Sequence, residues 1–347
     1  MKRKILKFTL IITLVLALLV PTFGSVFAAS QDEPPGLQRA IEAKEKHVDV
    51  LLKTSGVAAV GVGNNRNGNA TVIVFTETRG VRGIPAFLDG VPVITQYSGK
   101  FYANPNPNKP DKPGKPPKDD VDPTTRFDRP VPIGVSTGHP AITAGTIGAR
   151  VIDEDGNVFA LSNNHVYANE NLALPGDAVI QPGTFDGGSS PSDNIGTLSA
   201  FVPISFDGTP NKVDAAIAST TTSLLNNSTP SDGYGTPKST PVLATINLKV
   251  KKYGRTTGET NGRVYATNAT VNIQYDAGIA LFTNQIIVTP GSFSAGGDSG
   301  SLIVVNNKRS PDHLAPVGLL FAGSSQYTVA NPIDEVLSAF GVEIDGN

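Results

Sequence analysis

A serine set among glycines is the first residue of this sequence that could do chemistry. Ser299 follows Gly296, Gly297 and Asp298, and Gly300 comes directly after it. A serine hydroxyl attacks a carbonyl carbon only when a base lies within hydrogen-bond reach and a third group orients that base. The glycines allow a tight turn, in which the N–H groups of Gly297 and Ser299 can form an oxyanion hole. Because the same motif also describes an ordinary turn, its chemistry depends on its partners.

The candidate base is one of four histidines. His165 lies at the end of the strand-like stretch 158–161. His47 falls in a predicted helix, His139 precedes a proline, and His313 lies in a polar loop. A single histidine at a strand end is more often structural than catalytic, so His165 needs the support of an acid.

The candidate acid lies in an apolar stretch. Asp214 is embedded in residues 213–218, which are otherwise valine, alanine and isoleucine. An unpaired carboxylate in such surroundings would be costly, so a partner is expected, although an aspartate at a strand edge is an alternative explanation. The three candidates occur in the order His165, Asp214, Ser299, and are 49 and 85 residues apart.

The beginning of the sequence predicts export. Basic residues within 1–7 precede an apolar run from Phe8 to Val20, and small residues follow that fit a cleavage site after Ala28. The run is short for a membrane span, so a signal peptide over 1–28 is favoured over an uncleaved anchor. We therefore expect a secreted, extracellular product with no membrane attachment after cleavage.

The rest of the chain divides into three zones. Residues 29–103 combine a helix-like pattern with three strand-like stretches and predict a small α+β domain. Residues 104–125 are rich in proline and lysine, which predicts an extended linker. In 126–347, short strand-like stretches and one helix near the end predict a mostly β domain, built as a pair of barrels or a sandwich.

Composition excludes several classes of function. The formal net charge of −2 gives no basis for binding nucleic acid, which needs clustered lysine and arginine. The absence of cysteine excludes disulfides, thiol catalysis and cysteine-bound zinc. The acidic stretch 153–157 hints at calcium, but a hairpin turn explains it more simply, so no metal and no cofactor are expected.

The three motifs together resemble those of trypsin-like serine proteases of the chymotrypsin superfamily. Leu-Ser-Asn-Asn-His-Val at 161–166, Val-Asp-Ala-Ala-Ile at 213–217 and Gly-Gly-Asp-Ser-Gly-Ser at 296–301 correspond to its motifs in the same order. The sequence is similar to disulfide-free Nal1-like proteins and to bacterial secreted proteases of the α-lytic and streptogrisin type. This implies two six-stranded antiparallel β-barrels with a C-terminal helix, preceded here by the small α+β domain.

The resemblance also implies an activity and an ion pair. A serine endopeptidase would hydrolyse peptide bonds through an acyl-enzyme, with His165 as base, Asp214 as its orienting acid and Ser299 as nucleophile. The stretch 253–262 is similar to one in the α-lytic group whose arginine pairs with the buried aspartate beside the nucleophile. An Arg255–Asp298 pair would then hold the oxyanion turn without the insertion of a new N-terminus.

Two expectations concern the substrate side of the site. The pocket would be lined by Phe293, Ala322 and Gly323. Because no aspartate falls near its base, we do not expect a preference for arginine or lysine at the cut. Phe321 stands where the superfamily usually has a serine that hydrogen-bonds the catalytic aspartate. How Asp214 is satisfied is therefore open.

The expected partners are a protein or peptide substrate and the chain's own N-terminal domain. Residues 29–103 resemble propeptide regions, which would assist folding or cover the site and be removed at the linker. Two alternatives remain: a catalytically inactive protease fold that serves as a binding or adhesin module, and an esterase that uses the same site.

Overall fold

The computed structural model describes residues 33–103 and 121–347. The predicted signal peptide and most of the predicted linker lie outside these ranges. The described chain is mostly β with a helix near its C-terminus, which confirms the predicted fold class. No helix within the described ranges is long and apolar enough to cross a membrane.

Three α-helices, two short 3-10 helices and nineteen strands make up the regular structure of these ranges. The α-helices are α1 (Leu37–Leu52), α2 (Asn164–Tyr167) and α3 (Ile333–Phe340). The strands are β1 (Val57–Asn64), β2 (Ala70–Thr76), β3 (Phe87–Leu88), β4 (Val91–Tyr97), β5 (Phe101–Tyr102), β6 (Ser136–Thr137), β7 (Gly145–Thr146), β8 (Ala149–Asp153), β9 (Val158–Ser162), β10 (Ala178–Ile180), β11 (Asn194–Phe201), β12 (Ala216–Ser219), β13 (Lys249–Gly254), β14 (Gly258–Gln274), β15 (Ile279–Thr289), β16 (Leu302–Val305), β17 (Pro316–Gly323), β18 (Thr328–Pro332) and β19 (Val342–Ile344).

Six strands close into a barrel in the C-terminal part of the chain. Their order is β13, β16, β17, β18, β15 and β14, and β13 also pairs with β14. Alternate residues such as Val250, Val264, Val288 and Ile303 fill its interior. Closure leaves these strands no free edge, so the barrel is a rigid support for the turn between β15 and β16, which carries Ser299.

The other two candidate residues lie directly beside strands of a second sheet, His165 after β9 and Asp214 before β12. Its order is β10, β11, β12, β9, β8 and β19, so the C-terminal strand pairs with β8. An apolar cluster joins this sheet to the barrel: Leu161 and Ile217 pack with Leu302 and Leu319, and α3 contributes Val336. The two sheets are therefore packed together, with the candidate residues supplied from both.

The N-terminal zone continues the sheet of the barrel. Strand β1 pairs antiparallel with β14, and β2, β4 and β3 extend the same sheet outward. Helix α1 covers this extension, where its Ala43 and Val48 pack with Val60 and Val74. The predicted helix and strands of this zone are thus present, and they bury their apolar faces against one another.

Candidate active site

A buried histidine–aspartate pair forms the centre of the candidate site. His165 lies in α2, just after β9, and Asp214 lies just before β12. Because Ser162 of β9 pairs with Ala216 of β12, the two residues meet at one end of the sheet. The Nδ1 atom of His165 lies 2.6 Å from Asp214 Oδ2, and the His165 backbone N–H donates to Oδ1 at 3.2 Å. Since a carboxylate only accepts, Nδ1 carries a proton, and in the neutral ring Nε2 would present a lone pair.

Burial distinguishes this pair from the other histidine contacts. The side chain of Asp214 is 0% exposed, whereas Asp177, the partner of His139, is 41% exposed. The Nε2 atom of His165 is buried and has no hydrogen-bond partner within the described part of the chain. A buried ring nitrogen of this kind is available to take a proton from a nucleophile or to give one to a leaving group.

The Asp214 carboxylate is satisfied by a residue that the sequence analysis did not identify. The hydroxyl of Tyr275 donates to Asp214 Oδ2 at 2.8 Å. Phe321, at the position of the expected serine, packs in the core against Phe282, with ring centroids 4.8 Å apart. Burial and the neighbouring carboxylate raise the pKa of Tyr275 well above its ordinary value, so the hydroxyl stays a donor.

Ser299 lies in a turn shaped by two glycines. Gly297 and Gly300 have φ values of 91° and 95°, in the left-handed region that favours glycine. A Cβ atom on Gly297 would come within 2.5 Å of Thr256 Oγ1. Thr146 ties the turn to β7, because its N–H donates to the Ser299 carbonyl and its hydroxyl to the Gly297 carbonyl, each at 2.8 Å. The turn is thus fixed from both sides.

The same packing brings the serine turn to the histidine helix. A Cβ atom on Gly145 would lie within 2.6 Å of the Val166 side chain and 3.1 Å from the Ser299 carbonyl oxygen. Because Val166 directly follows His165, the segment that carries His165 and the backbone of Ser299 both lie close to Gly145. The Ser299 hydroxyl itself donates to the carbonyl of Ala103 at 3.2 Å.

The two predicted oxyanion donors are free to receive an oxygen atom. Within the described ranges, the N–H groups of Gly297 and Ser299 have no recorded acceptor. The intervening Asp298 N–H donates to Ala295 O at 3.1 Å, and Gly300 N–H donates to Leu320 O at 2.8 Å. Two unpaired donors on either side of Asp298 in a rigid turn could stabilise developing negative charge.

The buried aspartate beside the serine pairs with a lysine. Asp298 Oδ2 lies 3.3 Å from the Nζ atom of Lys252, and both side chains are 0% exposed. The ammonium also donates to Thr257 Oγ1 and, at 3.0 Å, to Gly258 O. Burial lowers the pKa of Lys252, while the Asp298 carboxylate opposes that shift.

The expected Arg255–Asp298 ion pair is wrong. The guanidinium of Arg255 points to the carboxylate of Asp186, with Nε donating to Oδ2 at 2.8 Å and Nη2 contacting Oδ1. Arg255 begins the turn after β13, where the backbone N–H of Thr256, rather than the arginine side chain, donates to Asp298 Oδ1 at 2.8 Å. Lys252, three residues earlier on the strand, supplies the charge instead.

The expected pocket residues divide between two places. Phe293 is 0% exposed and packs in the barrel core, where a Cβ atom on Gly262 would come within 2.6 Å of its ring. The expectation that Phe293 lines the pocket is therefore wrong. Its neighbour Ser294 faces Gly323 instead, since Ser294 Oγ would lie 3.6 Å from a Cβ atom placed on Gly323. Ala322 and Gly323 lie on β17, beside the end of the N-terminal zone.

A strand of the N-terminal zone occupies the region in front of Ser299. Tyr102 of β5 pairs antiparallel with Gly323 of β17. On its other side β5 runs parallel to β14, and the N–H of Ala103 donates to Gln274 O at 3.0 Å. Phe101, Ala103 and Ala322 share one buried apolar cluster. Chain 101–103 therefore lies against the candidate pocket, with a carbonyl at the serine hydroxyl.

The acidic side chains elsewhere in the described residues form no metal site. No group of three or more His, Asp or Glu side chains in the described ranges could hold a metal ion. The stretch 153–157 forms a closed turn, in which the Asp153 carboxylate accepts from Asp155 N and Asn157 N at 3.1 and 2.8 Å. The hairpin explanation of that acidic stretch accounts for these contacts.

Comparison with known proteins gives partial matches. The family model of the Nal1 C-terminal domain matches residues 235–331, which include β13 to β17 and the serine turn. No curated protein matches the chain.

Several solved structures are similar to this chain. A glutamic-acid-specific serine protease has 22% identity and a TM-score of 0.44, over 62% of this chain and 100% of its own. Protease A of Thermobifida fusca has 18% identity and a TM-score of 0.45, over 62% and 100%. A Nocardiopsis protease has 17% identity and a TM-score of 0.43, over 62% and 99%.

Proposed function

We propose that this chain is a secreted serine endopeptidase. The observation that carries the proposal is the buried His165–Asp214 pair, in which His165 Nε2 has no partner within the described residues. The next residue, Val166, and the Ser299 carbonyl oxygen both lie close to Gly145. In the proposed mechanism, Nε2 takes the proton of the Ser299 hydroxyl as its oxygen attacks the substrate carbonyl. The N–H groups of Gly297 and Ser299 would hold the oxyanion, and the protonated histidine would then deliver the proton to the leaving amine.

Hydrolysis completes the cycle. Water attacks the acyl-Ser299 ester, gives its proton to His165 and releases the carboxylic acid, while the serine oxygen regains a proton from the imidazolium. The Lys252–Asp298 pair would keep the oxyanion turn in its shape throughout, because a charged partner for Asp298 is already present within the chain.

The proposal includes the N-terminal zone as an intramolecular inhibitor. The hydrogen bond from Ser299 Oγ to Ala103 O supports this part, because it places a backbone carbonyl of the chain at the proposed nucleophile. The pairing of Tyr102 with Gly323 holds that segment as a strand along the pocket. Cleavage of the bond after Ala103 would separate the zone from the protease domain at the start of the predicted linker.

Export through the predicted signal peptide remains part of the proposal. The basic and apolar pattern of residues 1–28 supports it. Comparing the N-terminus of the extracellular protein with that of the cell-associated protein tests it directly. A protein that stays in the cell with residue 1 intact would refute secretion.

Profiling of the peptide bonds cut by the purified chain tests the activity, with the Ser299→Ala variant as its matched control. We expect the wild-type chain to cut peptides and to yield a product that begins at residue 104, while the variant does neither. Cleavage of small esters without cleavage of any peptide would favour the esterase alternative. Absence of both activities in a folded wild-type chain from which the N-terminal zone has been released would favour the binding-module alternative.

A further inference from the structure

We propose that Tyr275 is a positioning residue of the candidate site: its hydroxyl holds the Asp214 carboxylate, and Glu170 holds the turn that presents it. This inference deepens the proposed function and rests on it for its meaning in catalysis. Neither residue was singled out by its sequence context.

The contact of Tyr275 is made with the atom that orients the histidine. Asp214 Oδ2 accepts from Tyr275 at 2.8 Å and is also the partner of His165 Nδ1 at 2.6 Å. Two donors on one oxygen restrict the rotation of the carboxylate. The backbone adds further restraint, since Asp214 N–H donates to Asn331 Oδ1 at 3.1 Å and Asn163 donates to the Asp214 carbonyl at 2.7 Å.

The ring of Tyr275 is confined by other rings. It meets His165 edge to face, with centroids 6.0 Å apart and planes at 74°. Phe206 lies 5.6 Å away at 79°, and Phe282 lies 6.1 Å away at 26°. Edge-to-face and offset arrangements of this kind are favourable for aromatic pairs. The hydroxyl therefore has one direction to point, which is toward Asp214.

The turn that carries Tyr275 is anchored from the histidine side of the site. Tyr275 N–H closes the turn on Gly278 O at 2.8 Å. The carboxylate of Glu170 accepts from Ala277 N at 2.9 Å and from Asp276 N at 3.3 Å. One carboxylate that accepts two successive backbone N–H groups fixes both the position and the tilt of the turn.

Glu170 itself lies in an unusual segment. Asn169, Glu170 and Asn171 have φ values of 49°, 53° and 75°. Side-chain-bearing residues rarely adopt this left-handed region, and such a run persists only where the surroundings fix it. Asn171 provides that fixation, because its N–H donates to Asn164 Oδ1 at 3.1 Å and its Oδ1 accepts from Asn164 Nδ2 at 2.8 Å.

These contacts form a closed path around the pair. Asn164 directly precedes His165, Glu170 directly precedes Asn171, and the turn anchored by Glu170 returns through Tyr275 to Asp214. The path fixes the histidine and its acid relative to each other. The strained segment thus positions the turn that carries Tyr275. The Tyr275 hydroxyl in turn supplies Asp214 with the donor that Phe321 lacks.

The test compares Tyr275→Phe with a matched control, Tyr253→Phe. Tyr253 is also buried, and its hydroxyl donates to a carboxylate, Asp232, at 2.9 Å. The readout is the pH titration of His165 by NMR in the Ser299→Ala background, which needs no enzymatic activity. Within the described residues, the titratable groups with a contact to its ring are Asp214 and Tyr275, and Glu170 accepts from the turn that carries Tyr275.

Removal of the Tyr275 hydroxyl leaves more of the Asp214 charge acting on the imidazolium, which favours the protonated form. We expect the titration midpoint of His165 to rise by about half a pH unit to one unit in Tyr275→Phe and to stay unchanged in Tyr253→Phe. Glu170→Asp, which keeps the charge but shortens the reach to Ala277 N and Asp276 N, should shift it in the same direction by a smaller amount. In the active background, kcat/KM should fall about tenfold or more for Tyr275→Phe, with its acid limb at higher pH.

An unchanged midpoint in Tyr275→Phe overturns the inference even if peptide cleavage by the wild-type chain supports the proposed function. An equal shift in the Tyr253→Phe control also overturns it. If the midpoint shifts as expected but the wild-type chain cuts nothing, the positioning contact stands and the proposed protease activity fails. Thermal unfolding of each variant identifies any loss of fold, and an unchanged midpoint in Glu170→Asp overturns the anchoring role alone.

Discussion

Replacement of Lys252 by methionine should destabilise the protein strongly. The variant keeps an apolar side chain of similar length in the same space, but it removes the only ammonium recorded beside Asp298 within the described ranges. Loss of one partner from a buried ion pair costs about 3–5 kcal/mol, because the remaining charge stays buried. Four other hydrogen bonds to Asp298 remain, from Thr256 N, Thr257 N and Oγ1, and Ala295 N.

The expected loss therefore lies at the lower end, about 3 kcal/mol. With an unfolding entropy of about 2.1 cal/mol/K per residue over roughly 300 ordered residues, this corresponds to a decrease in Tm of about 5 °C. Thermal unfolding is measured in the Ser299→Ala background, so that self-cleavage cannot contribute. Adding Asp298→Asn to Lys252→Met should recover part of the loss, because the variant then buries no unpaired charge.

Lys249→Met is the matched control, since Lys249 lies on the same strand with its side chain exposed. Surface substitutions usually change the free energy of unfolding by less than about 0.5 kcal/mol, so its Tm should change by under about 1 °C. Equal Tm values for Lys252→Met and Lys249→Met would refute the assignment of Lys252 as the counter-charge of Asp298.

Three further predictions follow from the same contacts. Because burial lowers the pKa of Lys252, its charge should be lost in the alkaline range at a lower pH than that of an ordinary lysine, and kcat/KM should fall there. Lys252→Arg should move this alkaline limb of the pH profile to higher pH. From this group alone, the free energy of unfolding rises with pH between its folded and unfolded pKa, since the unfolded chain binds more protons there. An identical alkaline limb in both proteins would contradict this. Phe101→Ala should loosen β5 from the site and increase the rate of Ser299 labelling by a fluorophosphonate about tenfold or more, whereas Phe87→Ala, a 62% exposed residue of the same zone, should not change it. Equal rates would argue against inhibition by this strand. A double-mutant cycle on Arg255 and Asp186 should give a coupling energy of about 1–3 kcal/mol, and one on Arg255 and Asp298 should give a value near zero. A larger coupling energy between Arg255 and Asp298 than between Arg255 and Asp186 would support the ion pair expected from the sequence.

The candidate triad could be predicted from the sequence because each member lies in a short local motif. The Gly-Asp-Ser-Gly turn, the strand-end histidine and the aspartate in an apolar stretch are all visible without a structure. The structure places His165 and Asp214 in contact, since their strands pair. The predicted β-rich fold follows from the same kind of local information, namely short strand-like stretches and turns.

The supporting residues could not be predicted because they depend on tertiary contacts. Lys249, Lys251 and Lys252 all lie on β13, yet Lys252 is 0% exposed and Lys249 is exposed. No local feature distinguishes them. Tyr275 lies 61 residues from Asp214, and its role follows from a hairpin turn anchored by Glu170. The arginine motif at 255 suggested a partner in the wrong place, because its side chain leaves the turn toward Asp186.

The arrangement of the N-terminal zone was also beyond local patterns. The sequence shows a helix and strands in 29–103, and these elements satisfy one another in the structure. It does not show that β1 pairs with β14, about two hundred residues later, or that β5 lies between β14 and β17. Strand partners at such separations are chosen by complementary faces and registers, which a single sequence does not reveal.

The most direct test of the central claim is the rate at which a fluorophosphonate modifies Ser299, measured in the full chain and in the Phe101→Ala variant. We predict labelling at Ser299 in both, faster in the variant, absent in Ser299→Ala, and at least about a hundredfold slower when His165→Ala is added. If Phe101→Ala is labelled no faster than the double variant Phe101→Ala/His165→Ala, the result would contradict an activated serine at this site.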